Sequence, residues 1–107
     1  MAATGVVVVL VTCPSPAVGR RISRELVRRR LAACVNLIPR LESCYRWQGQ
    51  IERAAEALLL IKTTSRAVQA LTRILRTLHP YECPEIIALP VVAGAAPYLR
   101  WVKEGVA

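Results

Sequence analysis

CVNLIPRLESCYRWQGQIERAAEALLLIKTT, residues 34–64, decides the fold. Up to Trp47 it alternates with a period of two. Val35, Leu37, Leu41, Tyr45 and Trp47 fall on one side, and Asn36, Arg40, Glu42 and Arg46 on the other, which predicts a β-strand. Pro39 within the run points to a bend or a sheet edge, because proline cannot donate to a ladder. QGQ around Gly49 is a turn signal, and IERAAEALLLIKTT returns as a second strand, densely apolar from Ala57 to Ile61. The result is a long hairpin. A strand of about 13 residues spans roughly 43 Å, whereas a compact domain of this size is roughly 34 Å across. The hairpin should therefore overhang its own domain. Its far end carries Tyr45, Trp47 and Ile51, apolar groups that are costly to leave in water. These residues, with Trp101, are the expected subunit interface of a homo-oligomer in which the hairpin extends a neighbour's sheet.

Outward from the hairpin, the remaining elements follow from period and punctuation. GVVVVLVT (5–12) is a β-branched run without polar alternation, expected as a central strand buried on both faces. Ser15 and Pro16 suit a helix cap and first turn, and Val18, Ile22, Leu26, Val27 and Leu31 recur at helical spacing behind them. Arginines 20, 21, 24, 28, 29 and 30 cover the opposite face, with Glu25 placed to pair with Arg28 or Arg29, so a solvated helix face accounts for the cluster. A second helix is predicted over 65–78, capped by Ser65 or Thr64, with Val68, Leu71, Leu75 and Leu78 as its apolar stripe. PEIIALPVV (84–92) reads as a fourth, mostly buried strand. A short helix starting at Pro97 follows, with Tyr98, Trp101 and Val102 on one face. The order β-α-β-β-α-β plus a C-terminal helix predicts an α+β sandwich of the ferredoxin-like kind, one domain over 1–107.

Composition narrows the function classes. Apolar residues make up 54% of the 107, enough for a core without metal or disulfide staples. The net charge is +8, with thirteen of the fifteen basic residues arginine and no aspartate. RNA-recognition domains share this element order, but they stack bases on aromatic residues of their central strands. Here those strands read VVVVLVT and ALLLIKT, without a ring, so no nucleic-acid partner is expected. The apolar run is too short to span a bilayer, and a secretory signal is not recognisable, so no membrane partner and a cytoplasmic location are expected. Cysteines 13, 34, 44 and 83 lack C-x-x-C spacing, which argues against a zinc ribbon or a thioredoxin motif.

HPYECPE (79–85) gathers the only histidine, a tyrosine, a thiol and two carboxylates around two prolines. Imidazole, thiolate and carboxylate together suit copper or zinc. A rigid corner is the other reading: His79 capping the second helix, Tyr81 packing under the turn, and Glu85 paired with Lys62 or an arginine at a subunit boundary. Catalysis by Cys83 with His79 lacks an orienting third group. Triads, phosphate loops and paired-carboxylate motifs are also missing, so no enzyme activity is expected.

RLAACVNLIP, YRWQG, LLLIKT, LHPYECPEIIALPV and YLRW together resemble the CutA family of divalent-cation tolerance proteins, in order from about Val7 to Val102. The resemblance implies a tight, very stable homotrimer of ferredoxin-like subunits, similar in plan to nitrogen-regulatory PII proteins. It also implies binding of copper(II) or another divalent cation and involvement in metal tolerance. The metal ligands proposed in bacterial relatives are a first-strand thiol, the histidine before PY and the glutamate after the second proline. The last two fall on His79 and Glu85. The thiol position falls near Val11, with Cys13 two residues on and on the same strand side if alternation continues. Cys83 adds a thiol of this chain's own. The alternative to a metal protein is a trimeric scaffold or small-ligand sensor of the PII kind, with Arg40, Arg46 and Lys62 available to an anion.

Overall fold

The structure, a computed structural model, describes residues 3–107. The elements run β1 (Val6–Cys13), α1 (Pro16–Arg28), β2 (Cys34–Trp47), β3 (Gln50–Thr64), a 3-10 turn (Ser65–Ala67), α2 (Val68–Leu78), β4 (Ile87–Pro90) and α3 (Ala96–Gly105). All pairings are antiparallel and the sheet order is β2-β3-β1-β4, the ferredoxin-like arrangement. Met1 and Ala2, part of the expected single domain, lie outside the described residues.

Alternation builds the core. Val7, Val9, Val11 and Cys13 of β1 and Leu59 and Ile61 of β3 point to one face, where they pack with Ile22 and Leu26 of α1 and Leu71 and Leu75 of α2. Ser15 caps α1 as its sequence predicts, its Oγ accepting the Val18 N–H at 3.2 Å. Gly19 lets α1 settle on the sheet: a Cβ there would lie 2.9 Å from Leu37 Cδ1 and 3.3 Å from Leu59 Cδ2. Glu25 bonds both Arg28 and Arg29, and these contacts lower its pKa to about 2.

Four expectations need correction. β1 is not buried on both faces within one chain, because both core helices lie on the same side. Val8, Leu10 and Thr12 on the other side stay half-buried. β4 is four residues long and exposed: it is an edge strand paired only with β1. The second helix begins as a 3-10 turn, and Thr64 makes no side-chain cap. Finally, β2 does not keep one apolar side. A bulge between Ile38 and Leu41 inserts a residue at Pro39–Arg40, so Ile38 opposes Leu58 but Leu41 opposes Glu56. Beyond the bulge the parity is reversed. Val35 and Leu37 face the helices, whereas Leu41, Tyr45 and Trp47 face the open side with Glu52 and Glu56.

The hairpin overhangs as its length predicts. β1 pairs with β3 only from Ala57 to Thr64, so Gln50–Glu56 pair with β2 alone. The chain is 44 Å long and 22 Å thick. The turn is Gln48–Gly49, both with positive φ (51° and 79°), as a tight two-residue hairpin requires. Tyr45, Trp47 and Ile51 at this end are exposed, as is Trp101 on α3, where it stacks on Tyr98 at 5.7 Å.

Candidate functional site

The overhang and the 79–86 segment enclose a cleft of about 580 Å3 on the open side of the sheet. Its walls are Thr12 of β1, Ser43, Cys44, Tyr45 and Trp47 of β2, Glu56 of β3, and Tyr81, Glu82, Cys83 and Glu85 of the HPYECPE segment. That segment bends instead of extending, so Glu82, Cys83 and Glu85 all reach the same cleft; strict alternation would have separated Glu82 from the other two.

His79 anchors the bend. It is 7% exposed, and both ring nitrogens are engaged. Nε2 lies 2.7 Å from the Thr12 carbonyl, and the Tyr81 N–H bonds Nδ1 at 3.1 Å. A carbonyl can only accept and an N–H can only donate, so the ring is the neutral tautomer with its proton on Nε2. The side chain does not cap α2 as expected. Arg21 Nη2 takes that part, donating to the Leu78 carbonyl at 3.1 Å. Tyr81 packs against His79, with ring centroids 4.7 Å apart, and its hydroxyl donates to Glu56 Oε2 at 2.7 Å. Burial, then that bond to a carboxylate, push the Tyr81 hydroxyl's pKa well up.

The four residues singled out as metal ligands are not brought together in one chain. Cys83 and Glu85 line the cleft, while His79 stands behind its wall. Cys13 and Val11 do share a strand side, but it is the helix-packed side, and both are fully buried. Burial, with Glu56 adding to it, raises the Cys13 thiol to about 11. Among the described residues no three His, Cys, Asp or Glu side chains gather into a metal-holding group. Glu85 has no ion pair there either; the two ion pairs among the described residues both belong to Glu25. All four cysteines are free thiols. Sequence reasoning missed Glu56, Tyr45 and Trp47 as cleft residues. Only the bulge in β2 turns Tyr45 and Trp47 toward the 79–86 segment, with Pro39 its one signal, whereas Glu56 reaches it by the unbroken alternation of β3.

The comparisons with known proteins agree with this fold over nearly the whole chain. The family described as CutA1 divalent ion tolerance protein matches residues 7–105. The chain is 54% identical over 94 residues to Protein CutA of Homo sapiens, covering 88% of this chain but 52% of the human protein, so it spans about half the length of that relative. It is 52% identical over 97 residues to the divalent-cation tolerance protein CutA of Thermus thermophilus, covering 91% of this chain and 94% of that one. The solved structure of a divalent cation tolerance protein from Thermus thermophilus superposes with a TM-score of 0.93 at 49% identity, over 95% of this chain and 99% of that one. With matching elements, the HPYECPE corner in place and sequence identity around one half, the chain belongs to the CutA1 divalent ion tolerance family.

Proposed function

We propose that the protein works as a homotrimer that binds divalent cations, copper(II) among them, in the service of metal tolerance. The cytoplasm is its proposed location, where four free thiols persist. No helix among the described residues is long and apolar enough to cross a membrane. The observation that carries the reading is the placement of two thiols and three carboxylates, Cys44, Cys83, Glu56, Glu82 and Glu85, around one cleft at the foot of an overhanging hairpin. In a single chain these donors do not converge. Assembly through the uncovered sheet face and the hairpin would bring a second copy to the cleft mouth and complete a coordination shell. Cys83 and Glu85 are the proposed first donors. His79 can join only by giving up Thr12 or Tyr81. Copper(II) titration followed by calorimetry tests this: Cys83→Ser and Glu85→Gln should each weaken binding at least about tenfold, about 1.4 kcal/mol. Unchanged affinity in both would discard the site. His79→Ala separates the imidazole's two roles, since a purely structural histidine lowers the unfolding midpoint and leaves metal affinity intact. The cleft's volume exceeds what a metal ion needs, which also favours the small-ligand sensor.

A further inference from the structure

Charge is segregated in this fold. The two core helices and their flanks, residues 16–30 and 65–78, hold nine of the fifteen basic residues, all arginine, and one of the seven acidic ones. The helix layer therefore carries the whole net charge of +8, and the rest of the chain is balanced, six against six. The apolar stripes of α1 and α2 turn to the sheet, where Ile22, Leu26, Leu71 and Leu75 are buried. Helical spacing then turns the charge outward. Arg20, Arg24 and Arg28 stand one turn apart on the far side of α1, and Arg73 and Arg76 on the far side of α2; all are exposed. Arg21 donates to the Leu78 carbonyl at 3.1 Å, so the start of α1 lies beside the end of α2 and the two stripes form one patch. Glu25 neutralises only Arg28 and Arg29. Arg20, Arg24, Arg66, Arg73 and Arg76 have no carboxylate within ion-pair distance among the described residues.

Solvation explains charge on such a face but not charge of a single sign. Arg20 with Arg24, Arg24 with Arg28, and Arg73 with Arg76 are like charges three or four residues apart, a spacing that destabilises a helix unless something anionic covers it. The assembly proposed above uses the opposite sheet face and the hairpin, so the helix layer stays on its outside. The surroundings say which anion fits. Neither α1 nor α2 contains an aromatic residue, so the patch offers nothing for unpaired bases to stack on. Its apolar stripes are buried in the core, so it has no face to sink into a lipid surface. What remains is a set of guanidinium forks, which pair with phosphate oxygens two at a time. From Arg20 to Arg28 the stripe runs about 12 Å, and a nucleic-acid duplex presents one phosphate charge per about 1.7 Å of its axis. We propose that the outer face of α1 and α2 binds the phosphate backbone of double-stranded nucleic acid, without reading its sequence. This differs from base stacking on the sheet, which the ringless central strands exclude.

Fluorescence anisotropy of the full chain with a short labelled DNA duplex tests this, with a chelator present so that no metal bridges the two. If about four of the unpaired arginines each meet a phosphate, log affinity should fall against log salt with a slope of about −3.6, making binding about fiftyfold weaker at 150 mM salt than at 50 mM. Arg20→Gln/Arg24→Gln/Arg73→Gln should weaken binding at low salt at least about tenfold, equally for unrelated sequences, and flatten the slope by about 3. Arg53→Gln/Arg100→Gln/Lys103→Gln removes the same charge outside the helix layer and should cost less than about threefold. All six side chains are exposed and without a carboxylate partner among the described residues, so both variants should keep the fold. Either strand alone should bind more weakly than the duplex, and so should vesicles of phosphatidylserine and phosphatidylcholine at equal phosphate. No saturation up to about 100 μM at low salt, equal losses in the two triple variants, or single strands or vesicles that bind as tightly as the duplex overturns the proposal.

Discussion

Replacing Leu89 tests whether the uncovered sheet face holds the assembly together. Leu89 opposes Val8 at the edge of the sheet, beside Ile87 opposite Leu10, and Ile38 opposes Leu58 on the other side of β3. Ile38, Ile87 and Leu89 are 42%, 49% and 48% exposed, and no helix packs over them. Fully burying such a side chain is worth ~1.5–3 kcal/mol, so covering the exposed half of Leu89 should return about 1 kcal/mol per copy. Leu89→Ala forfeits most of that. In a closed trimer the loss counts three times, about 3 kcal/mol, which weakens assembly by about a hundredfold. Leu89→Asp adds a carboxylate that must be desolvated, a further penalty of about 2 kcal/mol or more per copy. Within one chain Leu89 contributes little to the core, so each variant should keep its far-ultraviolet circular dichroism. Sedimentation velocity over a concentration series provides the readout. The wild type should sediment as a trimer, Leu89→Ala should dissociate on dilution, and Leu89→Asp should be monomeric. A monomeric wild type would refute the reasoning, and so would a Leu89→Asp protein that sediments like the wild type at every concentration.

Other substitutions probe the remaining contacts. Gly19→Ala gains about 1 kcal/mol of helix propensity and loses a similar amount to crowding against Leu37 and Leu59, so urea unfolding should move little. Gly19→Val adds bulk without that gain and should cost about 2 kcal/mol or more. His79→Ala strands the Thr12 carbonyl and the Tyr81 N–H and should cost about 2–3 kcal/mol in thermal or urea denaturation. Alkaline stability should fall as well. The Cys13 thiol is held at about 11 against 9.0 when unfolded, so its contribution is complete below pH 9 and is lost as the pH rises through 11, a change of roughly 3 kcal/mol. Tyr81, raised for related reasons, acts in the same direction. Cys13→Ala should flatten the decline between pH 9 and 11 in urea titrations, and an unchanged slope would assign it elsewhere.

The fold was legible where local pattern and tertiary packing agree. Ser15 and Pro16 set the start of α1, and the spacing of Ile22 and Leu26 chose its buried face. Gly49 set the hairpin turn, whose tight geometry needs the left-handed conformation that glycine supplies. Val27, grouped with the apolar residues at helical spacing in α1, lies on the exposed flank, 43% accessible. The candidate site was only half legible. Cys83 and Glu85 were candidates and do line the cleft, but Glu82 reaches it only because the segment bends instead of extending. Tyr45 and Trp47 were expected only as an interface, because they sit at the far end of the overhanging hairpin, and counting by twos put them on the same side as Val35. One residue inserted at Pro39–Arg40 reversed that assignment.

The amino-acid sequence by itself determined the order of elements, the length of the hairpin, the core faces of the two long helices and the family, because hydrophobic period, caps and turn residues act over a few positions of chain. Tertiary structure alone decided three other things. It put both helices on one face and left the other sheet face uncovered. It bent 79–86 around a neutral His79 clamped between Thr12 and Tyr81. And it withdrew Glu56 beneath Tyr81, whose hydroxyl donates to its Oε2. Each depends on contacts between residues at least 25 positions apart along the chain or on a register shift between strands. Periodicity along a single strand carries no information about either.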